Sequence, residues 1–314
     1  YLQVYFLGMI PNLVYNMGTA VLRAVGDSRR PLYFLIAASL CNIVLDLLLV
    51  VVFQLGVLGV AIATVASQLL SAVLVVLSLV RAQGMPFQLF PRSMTIHPQP
   101  LRAILQVGIP TALQSVMYNI SNIVIQTSIN SFGTDAVAAW TAYGKMDIIF
   151  WMTITAMAQS ITTFAGQNYG AGKYDRLKKG VRVSVAMSAV ITLGISAIMV
   201  LFARPILPVF TPDHDVLEIG VGMVRFLAPS YITYILIELL SGAIRGAGKS
   251  LVPTLITVFG VCGLRLAWIF LAVPLNHSIV MVEASYPITW ATTSLAMLLY
   301  YCFGRWLAPP KQTL

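Results

Sequence analysis

Long apolar segments, each near the length that crosses a lipid bilayer, constrain this chain more than any other feature. A spanning helix needs about 20 mainly apolar residues, and nine such windows follow one another along the chain. Charged residues make up only 9% of the sequence, whereas a soluble domain carries about 25%. The sequence therefore predicts an all-α protein that crosses the membrane repeatedly. The predicted helices are 1–24, 31–54, 57–81, 104–131, 136–165, 180–204, 216–244, 253–274 and 285–306.

Composition and side-chain spacing exclude several classes of protein. A hydrophobic fraction of 59% excludes a disordered chain, which needs low hydrophobicity and high charge. The net charge of +9 lies in short loops, so we expect no nucleic-acid partner. The three cysteines lie in apolar runs without metal-ligand spacing, and the three histidines lie far apart in loops. We therefore expect no enzyme and no cofactor.

Basic residues predict the orientation, because cytoplasmic loops are enriched in Lys and Arg. If the loop at 23–30 is cytoplasmic, nine alternating helices place 15 of the 19 basic residues on that side. The sequence therefore predicts a cell-membrane protein with a cytoplasmic C-terminus. We also expect it to be bacterial and monomeric. These basic residues are Arg23, Arg29, Arg30, Arg81, Arg92, Arg102, Lys173, Arg176, Lys178, Lys179, Arg182, Arg245, Lys249, Arg305 and Lys311.

An internal repeat indicates how the helices are grouped. The segments 22–31 and 244–253 share Arg, Gly, Ser and Pro at a constant offset of 222 residues. Both join two helices on the predicted cytoplasmic side, as expected for parallel repeats. The three helices from residue 216 onward correspond to the first three helices of the chain. The helices 104–131, 136–165 and 180–204 precede the later set, and none precedes the earlier one. Tyr1 begins in an apolar run without signal-peptide features. We therefore expect a chain truncated at its N-terminus: 1–81 as half of one helical lobe, 82–103 as a cytoplasmic linker, and 104–314 as a complete second lobe.

The residues that carry this repeat resemble the MATE family of multidrug and toxic-compound extrusion transporters. The resemblance covers nearly the whole chain, from the family's fourth helix to its twelfth. It is similar to the DinF-like branch in particular, and it implies a fold of two six-helix bundles. The matching segments are Leu22 to Asp27 with Pro31, Asn42 to Asp46, Gly108-Ile109-Pro110, Gly166 to Gly172, and Arg245 to Pro253.

The resemblance also implies a cation-coupling site in the first lobe. Asn42 and Asp46 match the branch's Asn-x-x-x-Asp pair, and Thr64 matches a threonine on the following helix. Asn42 and Asp46 lie one turn apart on one helix face, and their oxygen atoms suit a proton or, if the protein is sodium-coupled, a bound Na⁺. The acidic partner that the family has on its first helix falls outside this chain. A structural hydrogen bond in a kinked helix is the alternative for Asp46.

The second lobe carries a polar helix face that is expected to line a substrate cavity. Gln114, Tyr118, Asn119, Asn122 and Gln126 recur at helical spacing. Interhelical hydrogen bonding is the alternative, since such residues also provide it in membranes.

Four further charged side chains lie within predicted helices. Glu238 could bind a cationic substrate or pair with Arg225 or Arg265. A contact with Glu238 is accordingly the simplest role for Arg265. Asp147 and Lys145 are expected to form a local or interhelical ion pair.

These features support one hypothesis of function above its alternatives. The protein would export drugs or organic cations in exchange for inward Na⁺ or H⁺, with membrane lipid as its surroundings. A lipid-linked oligosaccharide flippase of the same superfamily is the second hypothesis. A membrane-embedded enzyme or a receptor is the third, but the chain has no constellation of His and carboxylates that catalysis would need.

Overall fold

Nine long helical segments form the part of the chain that the structure describes. The structure is a computed structural model and describes residues 6–307, apart from the side chain of Ser93. No strand occurs among these residues, which confirms the all-α prediction. In chain order the segments are α1 (Met9–Ala24), α2 (Arg29–Asp46 with the π-helical segment Leu47–Val52), α3 (Gly56–Val80), α4 (Pro98–Asn130), α5 (Thr134–Gly170), α6 (Tyr174–Ile206 with the 3₁₀ turn Leu207–Val209), α7 (His214–Leu227 and Tyr231–Gly246, joined by the 3₁₀ turn Ala228–Ser230), α8 (Leu251–Thr257, the π-helical segment Val258–Gly263 and Leu264–Leu271, with the 3₁₀ turn Val273–Leu275) and α9 (Ile279–Phe303).

Each predicted window corresponds to one observed helix, and most differences lie at the ends. The largest differences at described starts are six residues: α4 begins at Pro98 rather than at 104, α6 at Tyr174 rather than at 180, and α9 at Ile279 rather than at 285. The predicted start of the first helix at residue 1 lies outside the described residues. Hydropathy identifies only the apolar part of a helix. A helix of 33 residues is about 50 Å long at 1.5 Å per residue, whereas the hydrocarbon layer is about 30 Å thick. The polar first turns of α6 therefore extend beyond it.

Six of these segments are long and apolar enough to cross a membrane by length and composition. They are α2, α3, α5, α6, α7 and α8. Of the other three, α1 has 16 residues, and α4 and α9 carry more polar side chains. Large apolar side chains are exposed along the helices, for example Leu201 at 74% and Val190 at 71%. Apolar side chains of this kind are stable in contact with lipid. A helix is suited to that environment because its backbone groups form hydrogen bonds with one another.

The chain divides into two compact units, residues 1–97 and 98–314. In the first unit, α3 packs against both α1 and α2. Gly18 of α1 permits close approach, because an added Cβ would stand 2.7 Å from a methyl group of Val75. Leu22, Val75 and Leu79 form the small buried cluster of this unit.

In the second unit, α7 is the central helix and packs against α5, α6 and α9. Its second half is almost wholly buried. Two glycines one turn apart, Gly242 and Gly246, face the backbone of α5. A Cβ at Gly242 would stand 2.9 Å from the Ala158 carbonyl oxygen, and one at Gly246 would stand 2.8 Å from Ala165 Cβ. Small residues at this spacing let membrane helices approach closely, so this crossing fixes α5 against α7.

The two copies of the repeated segment adopt the same turn. Gly26 donates its backbone N–H to the Arg23 carbonyl oxygen at 2.9 Å, and Gly248 donates to the Arg245 carbonyl oxygen at 2.9 Å. In each turn the next backbone N–H donates to the carbonyl oxygen five residues earlier. Asp27 donates to Leu22 at 2.9 Å, and Lys249 donates to Ile244 at 3.2 Å. This is the Schellman helix ending, which requires a left-handed residue, and φ is +89° at Gly26 and +79° at Gly248. The sequence repeat is therefore also a repeat of backbone geometry.

Candidate functional site

Asp46 and Asn42 lie one turn apart on α2, as predicted, and both are half-buried. Asp46 Oδ1 and Asn42 Nδ2 are buried atoms without a hydrogen-bond partner in the structure. Asp46 is also the last α-helical residue before the π-helical segment Leu47–Val52. Single π-helical turns inside α-helices occur frequently at functional sites. Unpaired polar atoms and irregular backbone therefore coincide at Asp46.

Thr64 lies on α3 at the level of this pair. An added Cβ at Gly59 would stand 3.1 Å from the Leu49 backbone, so these two residues mark where α3 and α2 meet. The helices are antiparallel and rise about 1.5 Å per residue. Thr64 is five residues beyond Gly59 and therefore lies beside the residue five before Leu49, midway between Asn42 and Asp46. Its hydroxyl donates to the Val60 carbonyl oxygen at 2.9 Å, which leaves the oxygen lone pairs as acceptors.

A cavity of about 820 Å³ occupies the second unit. Its walls come from α4, α5, α7, α8 and α9, so it lies where the central helix α7 faces the other helices of this unit. It is lined by Thr111, Gln114, Ser115, Tyr118, Asn122, Ile125, Gln126, Trp140, Tyr143, Gly144, Asp147, Trp151, Thr155, Tyr234, Glu238, Arg245, Arg265, Tyr286 and Trp290.

Aromatic rings form one continuous wall of this cavity. The ring centroids of Trp151 and Tyr234 are 4.9 Å apart, those of Tyr234 and Trp290 are 5.3 Å apart, and those of Tyr286 and Trp290 are 5.2 Å apart. All three pairs are edge-to-face, which is a preferred arrangement of aromatic quadrupoles. Edge-to-face contacts therefore link Trp151, Tyr234, Trp290 and Tyr286 along the cavity lining.

Glu238 borders the cavity and is held by two contacts. Tyr234 Oη donates to Glu238 Oε1 at 2.8 Å, and Arg245 Nη2 lies 3.6 Å from Glu238 Oε2. Of the two alternatives that the sequence left open for Glu238, the pairing with Arg225 or Arg265 was wrong, because Arg245 takes that place. Arg245 is seven residues beyond Glu238 on the same helix and so lies on the same face, two turns away.

Asp147 is the second carboxylate of the cavity. Tyr231 Oη donates to Asp147 Oδ1 at 2.5 Å, and Trp151 Nε1 donates to Asp147 Oδ2 at 2.5 Å. Among the described residues no basic group lies within ion-pair distance of it, so the expected ion pair with Lys145 was wrong. Both carboxylate oxygens instead accept hydrogen bonds from aromatic donors, which holds the group at the cavity wall.

Arg265 also borders the cavity and is only 2% exposed. Its guanidinium carbon lies 4.1 Å from the ring centroid of Tyr286, within cation–π distance. Nη2 donates weakly to Thr289 Oγ1 at 3.5 Å, and Nε has no partner. The expected contact with Glu238 was wrong, because Arg245 takes that place.

The polar face of α4 divides between cavity and surface. Gln114, Tyr118 and Asn122 line the cavity with Gln126, whereas Asn119 is exposed and lies outside the lining. The Tyr118 and Tyr234 hydroxyls lie 3.3 Å apart.

Sequence reasoning did not include the aromatic wall or Asp147 among the site residues. A usable signal was present, because Tyr143, Asp147 and Trp151 recur every four residues and so share one face of α5. Tyr231, Tyr234 and Glu238 are similarly spaced on α7.

Metal-binding chemistry in the described residues is limited. They contain no group of three or more His, Cys, Asp or Glu side chains arranged to hold a metal ion. Asp46, Asn42 and Thr64 carry one carboxylate and two neutral side-chain oxygens.

The apolar helices and the cavity between them are those of a multi-pass membrane transporter. The MatE family model matches residues 1–48 and 110–271, and the chain belongs to this family. The match covers most of α1 and α2 and continues from α4 through α8.

Individual relatives agree with this assignment. "Probable multidrug resistance protein YoeA" of Bacillus subtilis is 27% identical over 314 residues, which cover 96% of this chain and 67% of that protein. "Probable multidrug resistance protein YpnP" of the same organism is 28% identical over 309 residues, covering 98% and 68%. The chain thus spans about two thirds of the length of these relatives.

A solved structure shows the same fold. The crystal structure of a MATE protein in the bent conformation superimposes with a TM-score of 0.88 at 20% identity, covering 96% of this chain and 67% of that chain. The fold predicted from the sequence, nine helices of a two-bundle MATE transporter, is confirmed.

Proposed function

We propose that the protein containing this chain is a cation-coupled antiporter that exports drugs or organic cations. Family membership and the cavity of the second unit support export of small molecules. The distribution of basic residues supports an orientation with the C-terminus in the cytoplasm, since Lys and Arg favour cytoplasmic loops. Coupling to Na⁺ or H⁺ would take place at Asp46, with Asn42 and Thr64 assisting.

The observation that carries the coupling proposal is the pair of unpartnered buried atoms, Asp46 Oδ1 and Asn42 Nδ2. Polar groups buried without a partner are costly, and charged ones more so. A proton on Asp46 would remove the charge, and a Na⁺ ion among the oxygens of Asp46, Asn42 and Thr64 would balance it. Either cation can drive a conformational change only if it binds the two conformations with different affinity. The π-helical turn next to Asp46 supports this role, because it is a place where α2 can change its hydrogen bonding.

The cavity supports organic cations as cargo. Its aromatic wall suits flat apolar rings, and a cation over an aromatic face is stabilised by about 0.5–2 kcal/mol. Glu238 and Asp147 add negative charge at the same wall. Gln114, Tyr118 and Asn122 supply hydrogen-bonding groups that can orient a ligand. Asn119 is exposed and lies outside the lining, so its position supports this role less well.

Efflux of a fluorescent dye or a fluoroquinolone tests the proposal. The gene, extended upstream to its start codon, would be expressed in cells that lack their own efflux pumps, together with an Asp46→Asn variant. We expect export by the wild type and its loss in Asp46→Asn, because an amide can neither bind a proton at neutral pH nor balance a cation. Asp135→Asn is the matched control, since Asp135 lies in the first turn of α5 at the surface and its variant should export normally.

Two outcomes would contradict the proposal. Undiminished export by Asp46→Asn at equal expression would remove Asp46 as the coupling site. Absence of drug export by the wild type, together with a cell-wall defect on gene deletion, would favour flipping of lipid-linked oligosaccharides instead.

A further inference from the structure

The lining of the cavity in the second unit includes a buried arginine that forms no ion pair with the described residues. Arg265 is 2% exposed. Its Nε–H has no acceptor, and its one hydrogen bond, to Thr289 Oγ1, is long at 3.5 Å. The remaining contact is the face of Tyr286, 4.1 Å away.

The other charges around the cavity are already satisfied. Glu238 accepts from Tyr234 and lies 3.6 Å from Arg245. Asp147 accepts hydrogen bonds on both oxygens, from Tyr231 and Trp151. Among the described residues, no carboxylate lies within 4.0 Å of Arg265. Asp147 and Arg265 are therefore the two charged lining residues without an ion-pair partner among the described residues, and of these two Arg265 also has an unpartnered polar atom, Nε.

An uncompensated buried guanidinium is unfavourable, and the cation–π contact offsets only part of the loss of hydration. A well-packed apolar residue of similar volume is often as stable as, or more stable than, a buried charge. Folding alone thus gives no reason for an arginine at this position. A ligand that brings an anionic group to the guanidinium would supply one, because the planar fork of Arg matches a carboxylate in geometry and charge.

We propose, building on the proposed function, that the cavity selects aromatic ligands that carry a carboxylate as well as a positive charge. The carboxylate binds Arg265, the rings pack against Tyr286, Trp290 and Trp151, and the positive group lies toward Glu238. The preferred cargo is therefore a zwitterionic aromatic compound rather than a simple organic cation.

A pair of dyes that differ only in the carboxylate tests this inference. A rhodamine with a free carboxylate and its methyl ester share the cationic ring system, so the attraction of that ring system to Glu238 and Asp147 is the same for both. Binding of each dye to the purified full-length protein would be measured by fluorescence anisotropy. The acid can form a charge-assisted hydrogen bond with Arg265 that the ester cannot form. The wild type should therefore bind the acid roughly ten- to hundred-fold more tightly than the ester.

Two substitutions identify the residue responsible. Arg265→Met has a similar volume and removes the buried charge, so it should fold, as an unchanged melting temperature would show. It should lose the preference for the acid, so that acid and ester bind with similar affinity. Arg265→Lys keeps the charge but not the planar fork, and should retain part of the preference.

The outcomes separate this inference from the proposed function. Equal affinity of the wild type for acid and ester, or a preference that persists in Arg265→Met, would overturn the inference and leave export of organic cations untouched. Binding of neither dye would overturn both the inference and the assignment of this cavity as the substrate site.

Discussion

Gly246 lies where α5 and α7 cross. We predict that a larger residue there destabilises the protein and disturbs the walls of the cavity. In Gly246→Ala the new Cβ would stand 2.8 Å from Ala165 Cβ and would come closer still to the Thr162 carbonyl oxygen. Carbon atoms in contact lie about 3.5–4.0 Å apart. Two of the atoms in the way belong to the α5 backbone, so a rotamer change cannot relieve the clash. The helices must separate locally by roughly 1 Å, the difference between these distances.

The magnitude follows from two opposing terms. Overpacking of a well-packed interior costs about 1–3 kcal/mol, and a backbone clash belongs at the upper end of that range. Replacing Gly by Ala within a helix returns up to about 1 kcal/mol. Gly222→Ala on the same helix isolates the second term, because an added Cβ there meets nothing within 4 Å. The free energies of unfolding of the two variants should therefore differ by about 2–3 kcal/mol, which is the cost of overpacking alone.

Thermal unfolding of the purified protein in detergent measures this difference. For a large domain, 1 kcal/mol corresponds to at least about 2 °C in Tm, so Gly246→Ala should melt about 4 °C or more below Gly222→Ala. It should also weaken ligand binding, because α5 carries Asp147 and α7 carries its partner Tyr231. Equal melting temperatures, or a more stable Gly246→Ala protein, would refute the close backbone contact on which the reasoning depends.

Two further substitutions test the walls of the cavity. Glu238→Gln should weaken binding of the permanent aromatic cation ethidium roughly ten-fold through loss of a charge interaction, as measured by titration calorimetry. Glu218→Gln is its control, since Glu218 forms an exposed ion pair with Arg204, and an equal loss in both variants would show that the effect is not local. Tyr231→Phe removes the hydroxyl that donates to Asp147 and should lower stability by about 1–3 kcal/mol. In the same melting assay the exposed Tyr33→Phe should be neutral, and an unchanged Tm of Tyr231→Phe would argue against that hydrogen bond.

Much of the fold was predictable because a membrane-spanning helix can be recognised from its own stretch of sequence. Twenty apolar residues in sequence decide a span without reference to the rest of the chain. The positive φ angles at Gly26 and Gly248 were likewise implied by the glycines of the repeated segment. The Pro98 start of α4 was missed because its first turns are not apolar, and hydropathy does not detect a helix that extends beyond the hydrocarbon layer.

The site was predictable only where its contacts are local. Asn42 and Asp46 share a face because they are four residues apart, and their placement follows from helix geometry alone. The partner of Asp147 was not predictable, because Tyr231 is 84 residues away and its approach depends on how α5 crosses α7. The partner of Glu238 is local, because Arg245 lies seven residues along the same helix. Helical spacing alone therefore places the two side chains on one face.

The two π-helical segments change how the halves of the chain should be aligned. A π turn closes with an i→i+5 bond and therefore holds one residue more than an α turn. The second copy has its π segment at Val258–Gly263, earlier in its helix than Leu47–Val52 lies in α2. Between the equivalents of these two insertions the offset of the repeat is therefore 223 rather than 222 residues. Arg265 then corresponds to Asn42, so the second lobe carries a cation at the position where the first carries a neutral amide.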